Sequence, residues 1–206
     1  MSKKYYQYVK DVKGIDMVEL LLQLKIIFQS FLMVVASEFG DKTQLLALVL
    51  ASRFKKPMTI MAGILVATLL NHGLASYFGA WISSVVNPEY LRWGLSFIFI
   101  AFGLWILIPD KDEELKETNR YGAFWTTVVV FFLAEMGDKT QLATVALGAK
   151  FQAAVAVTIG TTLGMLVADG LAVFFGKKLT AKISMNLIRY IACGLFIIFG
   201  LGVLFY

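Results

Sequence analysis

The sequence predicts an all-α integral membrane protein of six transmembrane helices, arranged as two inverted three-helix repeats. Three observations predict it. Hydrophobic residues make up 59% of the 206 and charged residues only 16%, with a mean hydropathy of +0.75. Soluble domains carry about 45–50% apolar and about 25% charged residues. Six apolar runs reach the ~20 residues that a spanning helix needs, and the chain matches itself at a shift of 97 residues.

Residues 1–24 form an amphipathic lead-in. Lys3, Lys4, Lys10, Asp11, Lys13, Asp16 and Glu19 alternate there with apolar residues, and Tyr5, Tyr6 and Tyr8 suit a membrane interface. The first half, residues 25–108, holds the predicted spans Ile26–Ala51, Met58–Ile82 and Leu91–Ile108. Their gaps carry charge and turn signals, Arg53-Phe54-Lys55-Lys56-Pro57 and then Asn87-Pro88. Residues 109–121, with the run PDKDEELKETNR, form an acidic loop that reads as a solvated spacer. The second half, residues 122–206, holds Ala123–Ala149, Ala153–Phe175 and Leu187–Phe205. Backbone amides find no water in hydrocarbon, so helices are the expected form of all six runs. Cys193 is the single cysteine, so no intramolecular disulfide can form, and it reads as a small packed residue.

The 97-residue register runs without a gap. EFGDKTQ from Glu38 meets EMGDKTQ from Glu135, HGLASYFG from His72 meets DGLAVFFG from Asp169, and FGL from Phe102 meets FGL from Phe199. Three helices is an odd number, so the second half must enter the membrane in the opposite sense to the first. That is the inverted-repeat plan of many secondary transporters. Basic residues set the orientation. Arg53, Lys55 and Lys56, then Lys111, Lys116 and Arg120, then Lys177, Lys178 and Lys182 fall on one side. The expected topology is a multi-pass cell-membrane protein with the 109–121 loop cytoplasmic and both termini outside. The net charge of +5 is therefore topological, and nucleic acid is not an expected partner.

The chemistry concentrates in the repeated motif. Glu38 lies 13 residues beyond Lys25 and 15 before Arg53, near the bilayer middle at ~1.5 Å per residue. On a continuous helix Glu38, Asp41 and Lys42 share one face, with Gln44 beside Asp41. Glu135, Asp138, Lys139 and Gln141 repeat this arrangement. Each such charge costs about 2.5–3.5 kcal/mol at the membrane centre, so intramembrane ionisable groups point to function. Convergence of Glu38, Asp41, Glu135 and Asp138 would give an oxygen site for a hard divalent cation, calcium, magnesium or manganese. The bland alternative is a pair of structural Glu–Lys contacts. Crowded carboxylates also take protons, so cation and proton would compete for the same oxygens. Proton in and divalent cation out is the expected exchange.

Supporting positions follow. Gly40 and Gly137 admit two readings, close helix packing or a local break that frees carbonyls. Thr43 and Thr140 could add hydroxyl ligands, although membrane threonines more often bond their own helix backbone. His72 and Asp169 occupy equivalent mid-span positions in a second polar layer beside Asn71. A lone histidine is usually a satisfied core residue, with a pH-sensitive relay or a nitrogen ligand favouring manganese as the alternative, and Asp169 serves equally as a proton acceptor or a structural group.

The doubled pattern E-x-G-D-[KR]-[ST], present as EFGDKT and EMGDKT, resembles the family that includes the Golgi protein defective in a congenital glycosylation disorder. That family, long uncharacterised, belongs to the calcium/cation antiporter group. The resemblance covers nearly the whole chain after the lead-in. It implies exchange of Mn²⁺ or Ca²⁺ for protons without a cofactor, and carries the cation role onto Glu38, Asp41, Glu135 and Asp138. Its bacterial members are chiefly manganese exporters, which implies Mn²⁺ export from the cytoplasm. A Ca²⁺:H⁺ antiporter is the alternative within the family, and a divalent cation channel the alternative in another class. No HExxH and no serine–histidine pairing favours an enzyme.

Overall fold

A computed structural model describes residues 3–108, 122–176 and 185–205, without the side chains of 3–16 and 185. The acidic 109–121 loop, Lys177, Lys178, Lys182 and the side chains of the N-terminal lysines Lys3, Lys4, Lys10 and Lys13 lie outside the described residues. Within them the chain forms eight helices: α1 (Lys3–Glu38), α2 (Lys42–Phe54), α3 (Pro57–Val85), α4 (Pro88–Ile106), α5 (Gly122–Glu135), α6 (Lys139–Phe151), α7 (Ala154–Phe175) and α8 (Met185–Phe205).

The helix ends follow from sequence. Lys55 closes α2 in the left-handed conformation, with φ of 52°, and its N–H bonds the Ala51 carbonyl at 3.0 Å. Pro57 and Pro88 then open α3 and α4 at a position where the missing N–H costs nothing. Asn87 caps α4 by accepting from the Glu89 N–H at 2.9 Å.

Two of the expected spans differ from their prediction. The stretches Ile26–Ala51 and Ala123–Ala149 are each split, the first into the end of α1 and α2, the second into α5 and α6. The cause is a glycine in the left-handed region at each motif, Gly40 with φ of 80° and Gly137 with φ of 76°. Among the described residues five helical stretches are long and apolar enough to cross a membrane: Met17–Glu38, Pro57–Val85, Pro88–Ile106, Ala154–Phe175 and Asn186–Phe205. α5 is a shorter apolar helix of 14 residues. The lead-in and the first apolar stretch share the single unbroken helix α1.

The exterior is apolar and much of the interior is polar. Phe97, Leu74 and Ile198 face outward, whereas Ser30, Thr68, Asn71, His72, Ser76 and Asp169 are buried. This inverts the soluble pattern and suits a hydrocarbon surround. One core packs α4 and α8 against α1 and α6, with Phe99, Phe196 and Leu147 fully buried. The other joins α1, α2, α3, α5 and α7 around Ile60, Ile64, Phe131 and Met165.

Contacts come in pairs offset by 97 residues. α1 packs on α7, and α5 packs on α3. A side chain at Gly160 would meet Ser30 Cβ at 2.9 Å, and one at Gly63 would meet Thr127 Cβ at 2.7 Å. Gly103 lies against Phe196 at 3.2 Å and Gly200 against Phe99 at 3.2 Å. Each half therefore grips the other through equivalent positions.

A Cβ at Gly79 would run into the Val145 carbonyl and reach the Ala149 amide at 2.8 Å, both of them backbone. Gly79→Val should therefore lower detergent-phase stability by at least about 1–3 kcal/mol, while Gly94→Ala, with nothing within 4 Å, should be neutral or slightly stabilising. Thermal melting of the purified variants checks both.

Candidate cation site

Each motif lies where one helix ends and the next begins. Glu38 closes α1, Asp41 is the N-cap of α2, and Phe39 and Gly40 link them; Glu135, Asp138, Met136 and Gly137 repeat the plan between α5 and α6. The single helical face expected for Glu38, Asp41 and Lys42 is therefore absent, because Gly40 turns the chain between them. Side-chain amides hold both turns. The Gly40 N–H donates to Gln44 Oε1 at 3.1 Å and the Gly137 N–H to Gln141 Oε1 at 2.7 Å. The Asp41 and Asp138 N–H groups bond back to the Glu38 and Glu135 carbonyls at 3.1 and 3.3 Å. Neither aspartate side chain makes a capping bond to its own helix. The N-termini of α2 and α6 contribute partial positive charge beside the acids. A Cβ at Gly137 would meet nothing within 4 Å, so this glycine serves the break and not close packing.

The breaks bring acids from the two halves together. Carboxylate oxygens of Glu38, Glu135 and Asp138 lie within 4.8 Å of one another, and all three residues are buried. Thr43 Oγ1 donates to Glu38 Oε2 at 2.7 Å, and Thr140 Oγ1 donates to Glu38 Oε1. These two threonines thus bond an acid and not their own backbone, unlike Thr144, which bonds the Thr140 carbonyl at 2.7 Å. Neither oxygen of Glu135 has a hydrogen-bond partner among the described residues, nor does Asp138 Oδ2. Lys42 Nζ lies 3.4 Å from Asp138 Oδ1.

Asp41 stands outside this group. It is half-buried and lines a small opening with Ser37, Phe39, Gly40, Lys139 and Arg189. Lys139 is buried, donates to the Ile108 carbonyl at 3.0 Å and lies 5.7 Å from the Trp105 ring centre. Sequence reasoning missed Trp105 and the Ile108 carbonyl as lysine partners, and no local signal marks them. It also passed over Ser37, whose Oγ lies 3.4 Å from Thr140 Oγ1; adjacency to Glu38 was the available signal.

A second polar layer braces the first. Gln44 Nε2 donates to the Ala168 carbonyl at 2.8 Å, and Gln141 Nε2 to Asn71 Oδ1 at 3.3 Å. Asn71 Nδ2 in turn donates to the Phe132 carbonyl at 3.0 Å. His72 and Asp169 are fully buried on α3 and α7, outside the three-acid group, and neither side chain has a hydrogen-bond partner among the described residues.

With all three acids ionised, the Lys42 ammonium leaves a formal charge of −2 at the cluster. That complements one divalent cation, and a donor set made of oxygens alone suits a hard one. The unpartnered oxygens of Glu135 and Asp138 fit that group, because a buried acceptor without a donor costs free energy until something occupies it.

A family model described as divalent cation/proton antiporter GDT1 matches residues 26–114 and 123–206. A Vibrio cholerae protein named as a candidate manganese exporter is 44% identical over 174 residues, covering 84% of this chain and 87% of its own. GDT1-like protein 3 of Oryza sativa subsp. indica is 30% identical over 207 residues, covering 87% of this chain and 74% of its own. GDT1-like protein 5 of Arabidopsis thaliana is 29% identical over 216 residues, covering 84% and 92%. No solved structure matches the chain.

Gly137→Ala tests the break directly. The position has open space but φ of 76°, so the substitution should cost about 1–2 kcal/mol from backbone strain alone. Thermal melting reads the cost. A helix continuous through residue 137 would instead be stabilised.

Proposed function

The chain belongs to the GDT1 family of divalent cation/proton antiporters, and from that premise we propose that it exports Mn²⁺ from the cytoplasm in exchange for protons. The observation that carries the reading is the buried meeting of Glu38, Glu135 and Asp138, one acid from the first half and two from the second, with the Glu135 oxygens unpartnered among the described residues. These three bind the cation, and protons take its place on the glutamates Glu38 and Glu135 when it leaves. Asp41 is the fourth member and joins when the halves shift. Thr43 and Thr140 orient Glu38, Gln44 and Gln141 hold the two turns, and Lys42 and Lys139 balance charge. Asp169 and His72 form the layer through which protons reach the acids.

Six membrane crossings follow if α1 with α2, and α5 with α6, each count as one broken span. The 97-residue pairing of helix starts and contacts supports two inverted repeats, residues 25–108 and 122–206. In that arrangement the 109–121 loop is cytoplasmic and the termini are outside. Discontinuous helices that present backbone and acids at the middle of the membrane suit ion coupling. The name of the Vibrio cholerae relative favours manganese over calcium.

Proteoliposomes carrying a pH gradient test the proposal. Mn²⁺ should move against its own gradient when protons run down theirs, faster than Ca²⁺ or Mg²⁺. Glu38→Gln and Glu135→Gln should each reduce uptake to the level of protein-free vesicles. Preference for Ca²⁺ would make calcium the substrate, and cation flux indifferent to the proton gradient would make the protein a channel.

A further inference from the structure

A lysine meets the three-acid cluster, and its chemistry differs from that of the hydroxyl donors on Glu38. Lys42 Nζ lies 3.4 Å from Asp138 Oδ1, with the lysine half-buried and the aspartate buried. Lys42 is the first residue of α2, directly after the break, so its stem starts at the edge of the cluster. A lysine is a compact charge on a flexible four-carbon stem, able to approach and withdraw from one oxygen. The hydroxyls of Thr43 and Thr140 are instead committed to Glu38. The second motif lysine has different company, with Lys139 Nζ on the Ile108 carbonyl and near the Trp105 ring.

A cluster of three acids meets a difficulty if its task is transport. It must bind a divalent cation well enough to load and loosely enough to unload, the same compromise that governs conduction through ion sites. Resting on the antiporter reading, we infer that the Lys42 ammonium is a tethered competitor for the transported cation: it holds Asp138 while the cation is away, is displaced when the cation arrives, and returns to help expel it. Its charge stays on the protein throughout. The site therefore weakens its own grip without losing a ligand.

Equilibrium Mn²⁺ titration of the purified full chain in detergent, paired with transport kinetics, tests this. Lys42→Met should bind Mn²⁺ at least about tenfold tighter, the lower end of the effect of one close unit charge. Its KM should fall and its kcat should fall with it, because release slows. Lys42→Arg, which keeps the charge, should bind Mn²⁺ more weakly than Lys42→Met. Thermal melting checks that each variant is folded, and Lys42→Gln replaces Lys42→Met if the latter is not. A folded neutral variant that binds Mn²⁺ no tighter, or turns over as fast as the wild type, overturns the inference and leaves the antiporter reading standing. Failure of the wild type to bind Mn²⁺, or undiminished binding by Glu135→Gln, overturns the Mn²⁺-exchange reading at these acids and the inference with it.

Discussion

Like charges cannot share a dry space unless something of opposite sign is supplied. That constraint governs this molecule. Three carboxylates meet in the interior within 4.8 Å of one another, where a single charge costs about 2.5–3.5 kcal/mol at membrane depth. The protein meets part of that cost. Two threonine hydroxyls cover Glu38, Lys42 covers one oxygen of Asp138, and the N-termini of α2 and α6 face the same region. Hydrogen bonds to charged groups contribute about 1.5–3 kcal/mol each, so Glu38 is well compensated. Glu135 receives none from the described residues. The compensation is incomplete at Glu135 and at one oxygen of Asp138, and that is where we propose the cation binds.

The scaffold exists to bring these acids together from distant points in the chain. α1 lies on α7 and α5 on α3, so the acid-bearing helix of each half is held by the other half. Glycines let the helices approach at backbone distance: Gly160 near Ser30, Gly63 near Thr127, Gly148 against the backbone of Ser76. The site therefore straddles both halves, and any shift between them changes its geometry. α4 and α8 rest together on α1 and α6, joined by Ser96 Oγ donating to the Gly200 carbonyl at 2.7 Å and by the Phe99–Phe196 contact at 6.3 Å.

Much of this was legible in the sequence. The 97-residue register reappears in the helix starts, with Lys42 and Lys139, Pro57 and Ala154, and Pro88 and Met185 opening equivalent helices. The acids, lysines, threonines and glutamines of the motif all sit at or beside the site. The broken helices were visible only as an alternative. The apolar run continues through Phe39 and Met136, and a glycine inside a helix costs only about 1 kcal/mol, so glycine alone does not announce a break. The unlike surroundings of Asp41 and Asp138 could not be read at all. Both lie in the string GDKTQ, yet Asp138 joins the cluster and Asp41 does not. Only the packing of distant helices distinguishes them. The same holds for Thr140, whose partner Glu38 is 102 residues away.

Anomalous X-ray diffraction from Mn²⁺-loaded crystals tests the central claim most directly. The account predicts one buried anomalous peak coordinated together by oxygens of Glu38, Glu135 and Asp138, the two halves sharing one ion. A Mn²⁺ peak bound by one half alone, or lying away from both broken helices, would contradict it.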